Sequence, residues 1–211
     1  MKSLSIVLTL TGLIMVLFFT SCRERLSKSN EAGNEKQLQP SSSSVSVKKS
    51  DALREEGLRS AALSGDLNEV EKLLLQNTDF QAIDPDGRTA VMLAAFNGFT
   101  NIVDLLLKKG ASINQTDFEG RTALMYAATG PNLATVELLL SRKAEINMAD
   151  HTEKFTALMY AAAEGQLEIV KKLLESGANP FLKDKDNEDA ENFARKNGHT
   201  VISELLKSYY K

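Results

Sequence analysis

The sequence predicts an all-α solenoid, a stack of helix–turn–helix units, because three landmarks recur along it in one register. The pair Ala-Ala stands at Ala61-Ala62, Ala94-Ala95, Ala127-Ala128 and Ala161-Ala162, at offsets of 33, 33 and 34 residues. An apolar helical run follows each pair: Val70 to Leu75, Ile102 to Leu107, Val136 to Leu140 and Ile169 to Leu174. Then comes a helix stop, Gly110-Ala111, Lys143-Ala144 and Gly177-Ala178, ahead of Asn114, Asn147 and Asn179. A period of this size marks units that bury their apolar faces only against one another.

Taken in order, the chain begins with Met1-Lys2 and a run from Leu4 to Phe19 that is mostly Leu, Ile, Val, Phe and Met. That run falls short of the about 20 residues a spanning helix needs. A positive start, an apolar centre and then small residues is the pattern of an export signal. Phe19-Thr20-Ser21-Cys22 resembles a bacterial lipobox, with Phe19 where Leu is commonest. The resemblance implies that residues 1–21 are a lipoprotein-type signal peptide and that Cys22 is acylated. The chain would then be exported and lipid-anchored to a bacterial membrane, facing the periplasm or the surface. An ordinary cleaved signal and an uncleaved anchor are the alternatives.

Residues 22–50 read as the lipidated cysteine and a linker. Six basic side chains against three acidic ones give residues 23–50 a net charge of +3, and Ser41-Ser42-Ser43-Ser44 adds a polar tract. So few apolar side chains cannot offset the entropy of ordering, and a disordered, Ser-rich tether is expected. The remainder, 51–211, carries a net charge of −7 with no basic stripe. Such a body repels a phosphate backbone, which excludes nucleic acid as the expected partner. Cys22 is the chain's one cysteine, so no intramolecular disulfide framework exists.

The units divide as 51–83, 84–116, 117–149, 150–183 and 184–211, the last a degenerate cap in which Ala194, Gly198, Ile202, Leu205 and Leu206 keep register. Within unit two, Asp84-Pro85-Asp86-Gly87 supplies turn chemistry and Thr89 is placed to cap the next helix. Ala94 and Ala95 are small enough for close helix approach, and Gly98 separates the two helices. Ile102, Val103, Leu106 and Leu107 share one face of the second helix, which Gly110 ends. This pattern resembles the ankyrin repeat, D-x-x-G-x-T-P-L-H-x-A-A followed by V…L-L and G-A, across residues 51–211. The usual Pro and His are Ala and Met here, at Ala90/Met92, Ala123/Met125 and Ala157/Met159. The hydrogen bonds of the family's Thr–His pair should therefore be missing, with Met filling the space apolarly. Pro131 stands where glycine is usual, Lys143 replaces a helix-stop glycine, and the turn from His151 to Phe155 has none, so that turn should be irregular.

Catalytic constellations are lacking. His151 and His199 fall on different units, and no Ser/His/Asp grouping, metalloprotease motif or phosphate loop is present. Asp184 to Asp189 lacks the glycine and closing Glu of a calcium loop and reads as a solvated turn. Met92, Met125, Tyr126, Met159 and Tyr160 recur with the repeat and read as inter-repeat core. No enzyme, cofactor or metal is expected. The resemblance implies instead a monomer that binds another protein on its concave face, as scaffold or inhibitor in the bacterial envelope. A structural envelope lipoprotein without a dedicated ligand is the other reading. Carried over by register, the contact residues are Pro85, Asp86, Arg88, Phe96 and Asn97 in unit two. Unit three adds Phe118, Glu119, Arg121 and Thr129, and unit four adds His151, Glu153, Lys154 and Glu164. Phe96 and Phe118 are the large apolar members, the kind of side chain that anchors interfaces.

Overall fold

In the computed structural model, residues 42–210 are described; the expected signal peptide, Cys22 and the expected linker up to residue 41 lie outside them. Among the described residues ten α-helices follow one another in pairs. The inner helices are α1 (Ser42–Ser64), α3 (Ala90–Phe96), α5 (Ala123–Ala128), α7 (Ala157–Ala163) and α9 (Ala190–Lys196). The outer helices are α2 (Leu67–Leu75), α4 (Thr100–Lys108), α6 (Leu133–Ser141), α8 (Leu167–Glu175) and α10 (Thr200–Lys207). A 3-10 turn, Ser208–Tyr210, follows α10. Among the described residues no helix is long and apolar enough to cross a membrane.

Four of the five inner helices, α3, α5, α7 and α9, begin on a reciprocal cap. Thr89, Thr122 and Thr156 accept from the backbone N–H of Met92, Met125 and Met159 at 3.4, 3.4 and 3.3 Å. The methionine sulfur in turn accepts from the backbone N–H of the threonine, at 3.4, 3.5 and 3.4 Å. This corrects the expectation of a purely apolar filler: the thioether, although a weak acceptor, takes the return arm of the cap. The fifth unit builds the same box from Asp189 and Asn192.

The alanine pairs explain the stacking. Ala62, Ala94, Ala95, Ala127, Ala128, Ala161 and Ala162 are fully buried, and neighbouring inner helices pack closely through them. The outer helices approach one another less, so the stack curves with the inner helices and hairpin tips on its concave side. Between the layers lie Ile102, Val103 and Leu106, Val136 and Leu139, Val170 and Leu173, and Leu206, none of them exposed. Each set recurs at helical spacing, which is why one face of each outer helix is apolar.

One boundary differs from expectation. The first helix starts at Ser42 rather than near 51, so residues 42–50, expected to belong to the disordered tether, are helical and continuous with the first unit. The fifth unit, degenerate in sequence, forms a complete helix pair. It is closed by Tyr210, whose hydroxyl donates to Asp189 at 2.6 Å and whose ring meets Phe181 edge-on at 5.0 Å. Burial opposes the charge on Asp189. Hydrogen bonds from Lys183, Tyr210 and the Asn192 backbone N–H outweigh it and hold the carboxyl below the usual carboxylate range. The stability so contributed is complete above the unfolded value of about 4 and is lost as pH falls through the folded value. Amide exchange of α10, corrected for its intrinsic pH dependence, should therefore quicken in acid, and Asp189→Asn should abolish that response.

Lys143 is left-handed, φ 67°, as its place at a helix stop requires. A side chain there costs about 1 kcal/mol relative to glycine. Lys143→Gly should raise the urea midpoint by a comparable free energy; no rise would show that the lysine side chain compensates elsewhere.

Candidate surface at the hairpin tips

Every tip is organised by one aspartate. Asp84 Oδ1 accepts from the N–H groups of Asp86 and Arg88 at 2.9 and 2.8 Å. Asp117 does the same for Glu119 and Arg121 at 2.9 and 2.8 Å, and Asp184 for Asp186 and Glu188 at 2.9 and 2.7 Å. Asp150 serves a turn one residue longer, accepting from Glu153 and Lys154 at 2.8 and 2.9 Å. This is side-chain capture of the backbone in a turn, the reason Asp recurs at these positions. The fourth tip is one residue longer, has Lys154, φ 66°, in the left-handed place that Gly87 and Gly120 fill in the tips before it, and carries an isolated antiparallel bridge between Ala149 and Thr156, so this tip is indeed the irregular one. The acids from Asp184 to Asp189 work as a turn and a helix cap.

Successive tips are laced by backbone hydrogen bonds. The N–H of Phe118 donates to Asp86 O at 3.1 Å, that of His151 to Glu119 O at 2.6 Å, and that of Lys185 to Glu153 O at 3.0 Å. Phe118 and His151 thereby lie over Gly87 and Gly120, where a Cβ would come within 2.7 Å and 2.6 Å of them. Both glycines have φ above 80°, so they are needed for conformation and for space.

The tyrosines buttress the same aspartates. Tyr126 donates to Asp117 Oδ2 at 2.7 Å and Tyr160 to Asp150 Oδ2 at 2.9 Å. Burial pushes the Tyr126 phenol up; Arg121 opposes this and the bond to Asp117 adds to it, so the hydroxyl stays a donor. Tyr126 is buried as expected, whereas Tyr160 is half-buried. Both have a polar role that a reading as core alone leaves out.

The structure divides the expected contact residues. Pro85, Asp86, Phe118, Glu119, His151, Glu153 and Lys154 are exposed along the tips. Phe118 is 67% exposed; Phe96 is 38% exposed and rests its edge on Tyr126 at 6.1 Å. Arg121, in contrast, is engaged inward. Its Nε donates to Asp117 at 2.8 Å, Nη1 pairs with Glu119 at 3.0 Å, and the guanidinium lies 5.1 Å from the Tyr126 ring. Arg88 repeats this with Asp84 at 2.7 Å and Asp86 at 3.0 Å. The Thr129 hydroxyl donates to Tyr126 O at 2.8 Å within its own unit. Asn97 donates to Leu63 O of the preceding unit at 2.8 Å. Glu164 is half-buried; burial pushes its carboxyl up, against the pull of His199. Arg88, Arg121, Thr129 and Asn97 thus hold partners within the protein and Glu164 is half-buried, although Asn97 remains exposed, so the freely presented polar set is narrower than the register alone implied.

His199 is structural, as its slot suggests: Nε2 lies 3.1 Å from Ala163 O and the ring covers Gly165. An open groove of about 630 Å³ between α6 and α8, lined by Leu140, Ala144, Ile146 and the Glu137–Lys172 pair, lies on the outer-helix side, away from the tips.

A family model described as ankyrin repeats in three copies matches residues 58–150 and 132–211. With the helix pairs, capped inner helices and laced tips, this places the chain in the ankyrin-repeat family, whose repeats generally mediate protein–protein binding. Among curated proteins, the chain is similar to ankyrin repeat family A protein 2 of Mus musculus and of Bos taurus. Each is 45% identical over 53 residues, which is 24% of this chain and 17% of the relative. The likeness therefore covers a small part of either protein.

Proposed function

We propose that this protein is a membrane-tethered interaction module, anchored through a lipid on Cys22, that holds or inhibits a protein of the bacterial envelope. The contact surface runs along the tips of units two to four, facing the periplasm or the exterior. One observation carries the binding surface. Phe118 is 67% exposed although its backbone is fixed to the neighbouring tip, so a large apolar side chain is presented on a backbone that is already ordered before binding. Phe96, half-supported by Tyr126, is the second apolar member. At the three tips six carboxylates (Asp84, Asp86, Asp117, Glu119, Asp150, Glu153) face three cations (Arg88, Arg121, Lys154), a net negative charge that favours encounter with a basic surface.

The tether rests on the sequence: positive start, apolar run and Phe19-Thr20-Ser21-Cys22. Cys22→Ser should abolish both acylation and signal removal, read by labelling with a clickable fatty acid and by intact mass. For the binding surface, a photo-crosslinking residue at position 118 in the full chain, in intact cells, should trap one recurrent partner stoichiometrically, and Phe96→Ala should weaken the capture. A Phe96→Ala, Phe118→Ala protein that folds normally and keeps full partner affinity refutes the surface. No recurrent crosslink would favour a structural lipoprotein without a dedicated ligand.

A further inference from the structure

Asn-Gly occurs twice in the chain, at Asn97-Gly98 and Asn197-Gly198. The fold places both pairs at interfaces with an end unit. Asn97 Nδ2 donates to Leu63 O, joining unit two to unit one at 2.8 Å. Asn197 Nδ2 donates to Ala163 O, joining unit five to unit four at 2.9 Å. An end unit has a single neighbour, so these two interfaces open at the least free energy.

Asn-Gly is the dipeptide most open to intramolecular attack, because glycine has no side chain to shield its nitrogen or limit its rotation. The glycine amide nitrogen attacks the asparagine Cγ, a C–N bond forms, the Cγ–Nδ2 bond breaks, and Nδ2 leaves as ammonia with the amide proton. Water then adds to the cyclic imide and opens it to aspartate or isoaspartate.

The docked stack blocks this step in three ways at each site. The ψ angles, 3° at Asn97 and 4° at Asn197, turn the glycine nitrogen towards the asparagine's own amide and away from its side chain. The side-chain amide is tied to the adjoining unit. The glycine N–H is also engaged, Gly98 with Ala95 O and Gly198 with Arg195 O, both at 3.2 Å. Opening of the end unit removes the tie on the side chain, and fraying of the short helix end that has lost this neighbour relieves the other two blocks; at Asn97 that fraying also has to overcome the bonds of Asn132 to Ala95 O and Phe96 O.

We propose that Asn97 and Asn197 are deamidation sites gated by docking of the first and last repeats, silent while the stack is closed and converted when an end unit opens. The product makes opening permanent. A carboxylate cannot donate to the carbonyl that held the amide, and isoaspartate lengthens the backbone where a helix ends. At Asn97 the new charge also falls beside Phe96.

Two glycines permit a selective test. A Cβ at Gly65 would lie 2.5 Å from the Phe99 ring of unit two, and one at Gly165 would lie 2.5 Å from the His199 ring of unit five. Their φ values of 81° and 73° add strain to any side chain. Gly65→Val thus loosens the first interface and Gly165→Val the last. The full chain and each variant are incubated at mildly alkaline pH, and deamidation is quantified by peptide mass spectrometry with isoaspartate resolved. Gly65→Val should speed Asn97 about tenfold and Asn197 less than about twofold, and Gly165→Val should do the reverse, since a tenfold change follows from a modest loss of docking free energy. Equal acceleration of both sites by either variant overturns the proposal, as does a native chain that reacts as fast as the urea-unfolded one. If a variant does not fold, the unmodified chain in urea below its midpoint decides. Reaction at both asparagines before helical signal is lost supports gating, and reaction only with global unfolding overturns it.

Discussion

Asp117→Ala is expected to lower stability by about 3–5 kcal/mol, the range for removing one partner of a buried ion pair. The Asp117 side chain is wholly buried and satisfies four donors: the N–H groups of Glu119 and Arg121, the Arg121 Nε and the Tyr126 hydroxyl. Its removal takes the buried partner from the Arg121 guanidinium, which keeps its pairing with Glu119 at the surface, and strips the acceptor from the Tyr126 phenol and two turn amides. Asp84→Ala should cost less, because Leu93 stands where Tyr126 does and Asp84 therefore has no phenol to satisfy. Asp117→Asn should fall between the two, keeping an acceptor for the amides while losing the charge that Arg121 needs. Urea denaturation followed by circular dichroism measures all three. A loss for Asp117→Ala below about 0.5 kcal/mol, the range of an ordinary surface change, would sink the idea that the tip turns on this residue.

Leu106→Ala is the second large effect, at about 2–5 kcal/mol, from lost transfer free energy and the cavity left behind. Leu106 has no exposed surface and sits in a middle unit, so both neighbours lose packing. Leu107, one residue further round α4 and half-buried, should cost clearly less when cut back to Ala. Because a stack can lose cooperativity when a middle unit weakens, the comparison needs exchange of individual amides alongside the global transition. Equal losses for the two leucines would show that the apolar face of α4 is not what binds the layers.

Much of this architecture was legible before any coordinates. Period, paired alanines and Val/Leu spacing fix the helix pairs because each reflects a local or nearest-neighbour requirement, repeated in every unit. Thr89, Thr122 and Thr156 as caps, Lys143 as a left-handed stop and the irregular tip at His151 to Phe155 are of the same kind. The recurrence of Asp84, Asp117, Asp150 and Asp184 was also visible. What each aspartate holds was not, since the tyrosine lies nine or ten residues away and the arginine turns back on its own tip.

The candidate surface was legible by register and less so by residue. Register places a residue on a face but does not say whether its polar group is free. Asn97, a contact residue by register, is exposed and also stitches unit two to unit one; Gly98 looked like slack between helices. With φ 74°, and a Cβ there 2.4 Å from Asn132 Oδ1, it is instead the only residue type that fits. Methionine in place of histidine suggested lost inter-repeat hydrogen bonds and an apolar filler; within its own unit the sulfur closes the threonine cap.

By itself, then, the sequence determined the repeat, its helices and the composition of its core, because propensity, capping and amphipathic spacing act within one unit or between adjacent ones. Tertiary structure alone decided which tip residues face solvent and which asparagines tie units together. Those outcomes depend on donors, acceptors and ring faces from segments about a full repeat apart, and no local pattern encodes which of them will meet.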